Sequence, residues 1–218
     1  MYTVGTVIVT ASALFMSSPK ATRTYSNIIQ AAREILRTKG IEYLSMDRVA
    51  LKAGISKGAV MYHFPSKMAL QAALIQDYAE HMESGLKMHE AMFEGSPSET
   101  LVPGYIQWFK SFSADNNGWA SVGVQLLGQQ AVTPELLKPI YDWYQKLFAR
   151  IEELPEKQRT QMLMAVMAME GFFFVRKFGL DSMNLKQRDK VLDLLLDITQ
   201  TKDVALKASK SGQNNRDI

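Results

Sequence analysis

Between Gly54 and Lys67 the chain reads GISKGAVMYHFPSK, a short segment dense in hydroxyl, amine, phenol and imidazole groups. Such groups serve catalysis, metal binding or contact with a phosphate backbone. Catalysis needs a nucleophile and base in hydrogen-bond reach, and the chain carries no nucleophile elbow, phosphate loop, HExxH or GxGxxG. Cysteine is absent, and the imidazoles are His63, His81 and His89. On one helix His81 and His89 would stand about 12 Å apart along its axis, too far to share an ion. No enzyme, no metal and no cofactor is therefore expected. Disulfides are excluded, and a reducing cytoplasm fits.

Contact with phosphate suits the local pattern better. Ser45 to Phe64 reads as two short helices crossing at a glycine, with Ser45 and Ser56 as N-caps, Gly54 in the turn and Pro65 as the stop. A steep crossing needs a small residue at the closest approach, supplied by Ala50, and apolar flanks, supplied by Val49, Ile55 and Val60. The second helix then turns Ser56, Lys57, Gly58, Ala59, Tyr62 and His63 outward. Lys57 can reach a phosphate or a guanine edge, Tyr62 can donate to phosphate, and Gly58 and Ala59 are small enough for deep approach to a major groove. Ser45 and Arg48 before the turn, Lys67 after Pro65, and Lys20 and Arg23 on an arm ahead of the first helix would clamp the backbone. His63 suits a structural or phosphate contact better than a titrating switch.

The charge distribution agrees with this reading. Lys20 to Leu70 holds nine Lys or Arg against three Asp or Glu, whereas Gln71 to Ile218 holds sixteen against nineteen. A basic head on a slightly acidic body points to a polyanion partner, although a merely solvated basic face would give the same count.

The elements that must position these groups are helical. At 218 residues and 47% hydrophobic, the chain is long and apolar enough to bury a sizeable core. Tyr25, Ile28, Ile29, Ala32, Ile35 and Leu36 recur at helical spacing ahead of Gly40. Ser66 opens a long fourth helix running toward Gly85. Further helices are expected around Tyr105 to Phe112, from Trp119 to near Gln130, from Pro134 to about Leu154 with a bend at Pro139, from Glu156 to Phe178, and from Lys186 to Thr201. The fold class is all-α, of about nine helices. Expected segments are a flexible leader at 1–19, a DNA-binding head at 20–67, a helical body at 68–201 and a flexible tail at 202–218. The leader lacks a basic start and is shorter in apolar length than the roughly 18 residues of a spanning helix. It reads as an extension, with Met16 as an alternative start, or as a short signal with Ala11 and Ala13 at its cleavage site.

The first helix followed by SMDRVALKAGISKGAVMYHFPSKMAL resembles the DNA-binding domain of the TetR family of bacterial transcriptional repressors. Met61, where leucine is common, and the leader before Met16 depart from the usual pattern. The resemblance implies a three-helix N-terminal head joined to a variable helical body that binds a small effector and dimerises. It implies that Phe64 packs into the head, and that Tyr62, Lys57 and Lys67 meet the DNA backbone. A homodimer on a palindromic operator, released by an effector, is the function it suggests.

In the body, Tyr105, Trp108, Phe109, Phe112, Trp119, Trp143 and Tyr144, with Gln125 and Gln129 interspersed, are suited to a site for a small apolar or amphipathic effector; aromatics at this spacing also suit plain core. Met167 and its neighbouring methionines could line an adaptable cavity wall or face a partner. The segment MLMAVMAMEGFFFVRKFGL is apolar on nearly every face, which implies burial all round. Ala165 and Ala168 would permit close helix approach, and the resemblance implies that this helix, with Phe172, joins Val191 and Leu195 of the last helix in a dimer interface. No membrane partner is expected.

Overall fold

The computed structural model describes residues 18–114, 118–127, 133–180 and 183–199. Within them lie nine α-helices and one 3-10 turn, with no strand. The helices are α1 (Pro19–Lys39), α2 (Met46–Ala53), α3 (Lys57–His63), α4 (Lys67–Glu90), α5 (Pro97–Ala114), α6 (Trp119–Leu127), α7 (Lys138–Glu152), α8 (Glu156–Lys177) and α9 (Leu185–Thr199); the 3-10 turn is Ile41–Tyr43. The leader and tail expected from the sequence, apart from Ser18 and Pro19, lie outside the described residues. Two compact units form: one on the chain up to Asp77 with Ser121–Leu136, the other on Tyr78–Ala120 with the chain from Leu137 onward. The division falls inside α4 and α6.

The first unit is built on local signals. Ser18, Ser45, Ser56 and Ser66 each accept an amide hydrogen bond three residues on, at 3.1–3.3 Å, satisfying donors that a helix start leaves free. Gly54 adopts φ 67°, ψ 32°, the left-handed conformation that lets α2 end and α3 begin at once. Val49, Val60 and Leu70 are fully buried, Phe64 is buried with them, and Ile28, Ala32 and Leu36 of α1 complete this core. The Asn27 side-chain amide donates to the Ala53 carbonyl at 2.9 Å, tying α1 to the end of α2.

Two prolines act differently from expectation. Pro19 lies in the first turn of α1, so Lys20 and Arg23 belong to that helix rather than to a preceding arm. Pro139 lies in the first turn of α7, and no bend follows from it. Both have the same cause: the first helical turn needs no amide donor, so a proline is accommodated there without loss.

In the second unit Tyr105, Ile106, Ile151, Met162 and Leu192 are buried. His89 is also buried; its Nδ1 donates to the Gly85 carbonyl at 2.7 Å and its Nε2 bonds the Ser111 hydroxyl at 2.9 Å, joining α4 to α5. It is a satisfied core histidine. Arg150 of α7 grips Glu90 of α4 through two bonds of 2.8 and 3.1 Å. Helix α8 is not buried all round. Met162, Ala165, Val166 and Met169 face inward, while Leu163, Met164, Met167, Phe174 and Phe178 are exposed.

Helices α4 and α5 touch backbone to backbone at Gly104, where an added Cβ would fall 2.7 Å from Glu90 Cα and 2.9 Å from its nitrogen. The Glu90 Cγ, 2.6 Å away, could turn aside, but these backbone atoms could not. Gly104→Ala should therefore lower stability by about 1–3 kcal/mol, read as a shifted urea midpoint.

Candidate functional site

The outward face of α3 is assembled by what lies behind it. Val60 and Phe64 are buried, which leaves Lys57, Gly58 and Tyr62 exposed, Tyr62 at 67% of its full area. Ala59 is half-buried, and Ser56 is exposed with its oxygen engaged in capping. Arg48 and Lys67 are exposed on α2 and α4, and Lys20 and Arg23 on the first turns of α1; Ser45 is half-buried as the cap of α2.

Two cations of this face, Lys57 and Arg48, already have partners. Lys57 Nζ lies 3.0 Å from Asp47 Oδ2, and both side chains remain largely exposed. The Arg48 guanidinium sits 4.8 Å over the Tyr43 ring and donates to the Tyr43 carbonyl at 3.3 Å. Neither Tyr43 nor Asp47 stood out in the sequence. An acidic residue in the first turn of α2 reads as a complement to the helix N-terminus, and its reach to Lys57 depends on the crossing at Gly54.

His63 turns partly inward, with ring centroids 5.3 Å from Tyr62 and 6.3 Å from Tyr25, both edge-on. Burial holds its pKa below the ordinary value. It is a packing residue between α1 and the exposed face.

A second constellation lies in the other unit. Trp108 has ring contacts at 5.6 Å to Tyr105, 5.5 Å to Phe112 and 5.7 Å to Trp143. Trp119 stacks on His81, centroids 4.0 Å apart and planes within 8°, and Tyr78 lies 6.0 Å from the same indole. Trp143 meets Tyr144 edge-on at 5.0 Å, and the Tyr144 hydroxyl donates to Glu170 Oε1. Burial raises the pKa of Glu170, partly opposed by that hydrogen bond. Tyr78, Tyr105 and Tyr144 are pushed up first by their own burial and next by the negative charge of Glu170. The Tyr144 hydroxyl of α7 thus meets the Glu170 carboxyl of α8 directly, while Tyr78 of α4 and Tyr105 of α5 are linked to it through its charge.

Several residues expected with this cluster lie elsewhere. Gln125 accepts the Ile41 amide at 3.3 Å, beside the entrance to α2, and Gln129 lies outside the described residues. Met167 is 69% exposed, on the outer face of α8. Phe109 does pack in this unit, stacked on Phe172 at 6.1 Å. Of the residues expected at an interface, Ala165 and Leu195 are buried within the chain, Ala168 and Phe172 are half-buried, and Val191 is 38% exposed. Helical periodicity identifies which residues share a face and leaves open which face the chain covers itself. Among the described residues no three His, Cys, Asp or Glu side chains group as metal ligands, and no helix is long and apolar enough to cross a membrane.

Residues 28–74 match the family described as bacterial regulatory proteins, tetR family, and residues 100–200 match the tetracyclin repressor-like C-terminal domain. Among curated proteins the chain is 29% identical over 107 residues to the A-factor receptor protein of Streptomyces griseus, covering 49% of this chain and 36% of that one. It is 39% identical over 59 residues to the HTH-type transcriptional regulator SrpR of Pseudomonas putida, covering 27% and 28%. The chain thus spans well under half the length of these relatives. Among solved structures, the transcriptional regulator FadR from Bacillus subtilis in complex with stearoyl-CoA has the same fold, with TM-score 0.61 and 18% identity over 79% of this chain and 97% of that one.

The depressed pKa of His63 has a measurable consequence. The folded head binds fewer protons than the unfolded chain in the window just below pH 6.5, the ordinary histidine value. Stability present above that window is lost as pH falls through the folded pKa. Between pH 7.5 and pH 5.5 the wild-type melting temperature should fall further than that of His63→Gln; equal falls would show that His63 does not couple to folding.

Proposed function

The chain belongs to the TetR family of bacterial regulators, and on that premise we propose that it acts as a homodimeric repressor in the cytoplasm, binding a palindromic operator and leaving it when a small effector enters the body. Transcription regulation through a DNA-binding helix-turn-helix, with ligand binding, is the activity of the family. The observation that carries the proposal is the face of α3: Lys57 and Tyr62 are held outward by the burial of Val60 and Phe64 on the same two turns. Lys57 and Tyr62 contact phosphate, with Arg48, Lys67, Lys20 and Arg23 flanking them. On the operator Lys57 exchanges Asp47 for a phosphate oxygen, so Asp47 competes with DNA for the same ammonium group.

The exposed apolar face of α8 and α9 supports the dimer. Met164, Met167, Phe174 and Phe178 on α8 and its C-terminal turn, with Val191 and Leu194 on α9, present large side chains to solvent in a single copy. A second copy related by a twofold axis covers them, because an isologous interface pairs a patch with itself. Two α3 helices are then carried on half-sites one helical turn of DNA apart, about 34 Å, or a multiple of it. The effector occupies the aromatic cluster. Trp119, stacked on His81, opens α6, and Gln125 of the same helix holds the Ile41 amide. A ligand that moves Trp119 acts on the helix whose Gln125 braces the approach to α2.

The binding experiment is a gel-shift titration on the DNA upstream of its own gene, beside random duplex, at physiological salt. Lys57→Ala or Tyr62→Ala should weaken operator binding by about 1–3 kcal/mol with an unchanged melt, and Asp47→Asn should tighten it. Equal affinity for operator and random duplex would remove the repressor reading. For the dimer, Phe174→Asp should sediment as a monomer, and an unchanged dimer would take this face out of the interface.

A further inference from the structure

Helix α3 turns about 100° per residue, so Lys57, Met61, Gly58 and Tyr62 follow one another, in that order, across about 140° of its surface. All four are exposed, Met61 at 45% of its full area, while Val60 and Phe64 are buried behind them. The arc therefore carries an ammonium group at one edge, a phenol at the other, and no hydrogen-bonding side chain at its centre. Gly58 is not demanded there by the fold. Its φ is not positive, and an added Cβ would meet nothing closer than the Ser56 oxygen at 3.9 Å. Since alanine favours a helix over glycine, the bare position serves an approach from outside rather than the chain itself. Met61 stands beside that bare position with its side chain open to solvent. A single exposed apolar side chain is ordinary on a protein surface; this one is distinguished by its place at the centre of the arc.

A helix laid along the major groove puts the edges of its outer face toward the two phosphate strands and its centre toward the bases. The donors and acceptors of the base edges find no side-chain partner on glycine or methionine, so hydrogen-bond readout is closed to the centre of this face. One base feature in that groove is apolar, the C5-methyl group of thymine. A flexible, polarisable thioether packs well on a methyl group. Against the amino group of cytosine it would strip water from a donor without replacing the bond. We propose that Met61 is a specificity-determining residue that reads one thymine in each half of the operator through its methyl group. The inference rests on α3 being the helix that faces DNA. Lys57 and Tyr62 fix that helix on the strands whatever the sequence, and Met61 supplies the preference at one position.

Deoxyuridine differs from thymidine only in lacking that methyl group, so it isolates the contact. A duplex selected from a random library by the full chain serves as the probe, and each of its thymines is replaced in turn by deoxyuridine. At one symmetric pair of positions the replacement should weaken wild-type binding by about fourfold for each methyl group lost. Met61→Gln, similar in length but polar, should bind the thymidine and deoxyuridine duplexes alike at that pair, with an unchanged melting temperature, and Met61→Leu should keep part of the difference. A merely structural role for Met61 would weaken binding to both duplexes equally and leave the difference between them intact. Absence of any deoxyuridine effect on the wild type, or an effect that survives Met61→Gln at every position, would overturn the thymine assignment while leaving operator binding in place. If the selection yields no preferred duplex, it is the operator reading that falls, and the assignment falls with it.

Discussion

A helix of seven residues cannot hold itself together in water, because nucleation fixes several residues for each early hydrogen bond. Helix α3 is that short, and the groups it presents are ordered only because tertiary contacts order it. Val60 and Phe64 anchor its inner side, Ser56 closes its start, and Gly54 sets its angle to α2 through a backbone conformation that side chains disfavour. The directions of Lys57 and Tyr62 follow from these contacts. A change at Val60 or Gly54 would therefore reach the outward face of α3 without touching it.

Two cations of that face are held by contacts within the chain. Lys57 is paired with Asp47 and Arg48 is laid over Tyr43, so both cations are oriented before any phosphate arrives. An exposed ion pair of this kind contributes only about 0–1 kcal/mol, small against a charge-assisted contact to phosphate, so exchange of partners meets little resistance. Ordering lowers the conformational entropy that binding must still remove. Glu170 is the opposite case: it is half-buried and, among the described residues, without a cation, and burial shifts its carboxyl toward the neutral form.

Local chemistry was the most legible part of the sequence. The serine caps, the glycine turn and the apolar flanks of α2 and α3 act over three or four residues, and each lies where its residue type indicates. Pro19 and Pro139 misled because a proline breaks a helix interior yet fits its first turn, and composition alone does not separate the two positions. Faces were harder still. The pattern of α8 joins Ala165 with Met162 and Met167 with Met164, but only tertiary packing shows that the first pair is covered within the chain and the second is not. Gln125 lay among aromatics in sequence and bonds Ile41 in space, eighty-four residues away. Glu170 carries no local signal at all, since its character comes from burial and from the Tyr144 hydroxyl on another helix.

One close contact in the body governs where that body is able to yield. Glu90 meets Gly104 through its backbone and Arg150 through its carboxylate, so α4, α5 and α7 share a single fixed point. Backbone contact of this kind is stiff, because no rotamer change relieves it. Any rearrangement of these three helices would accordingly turn about that joint rather than slide past it.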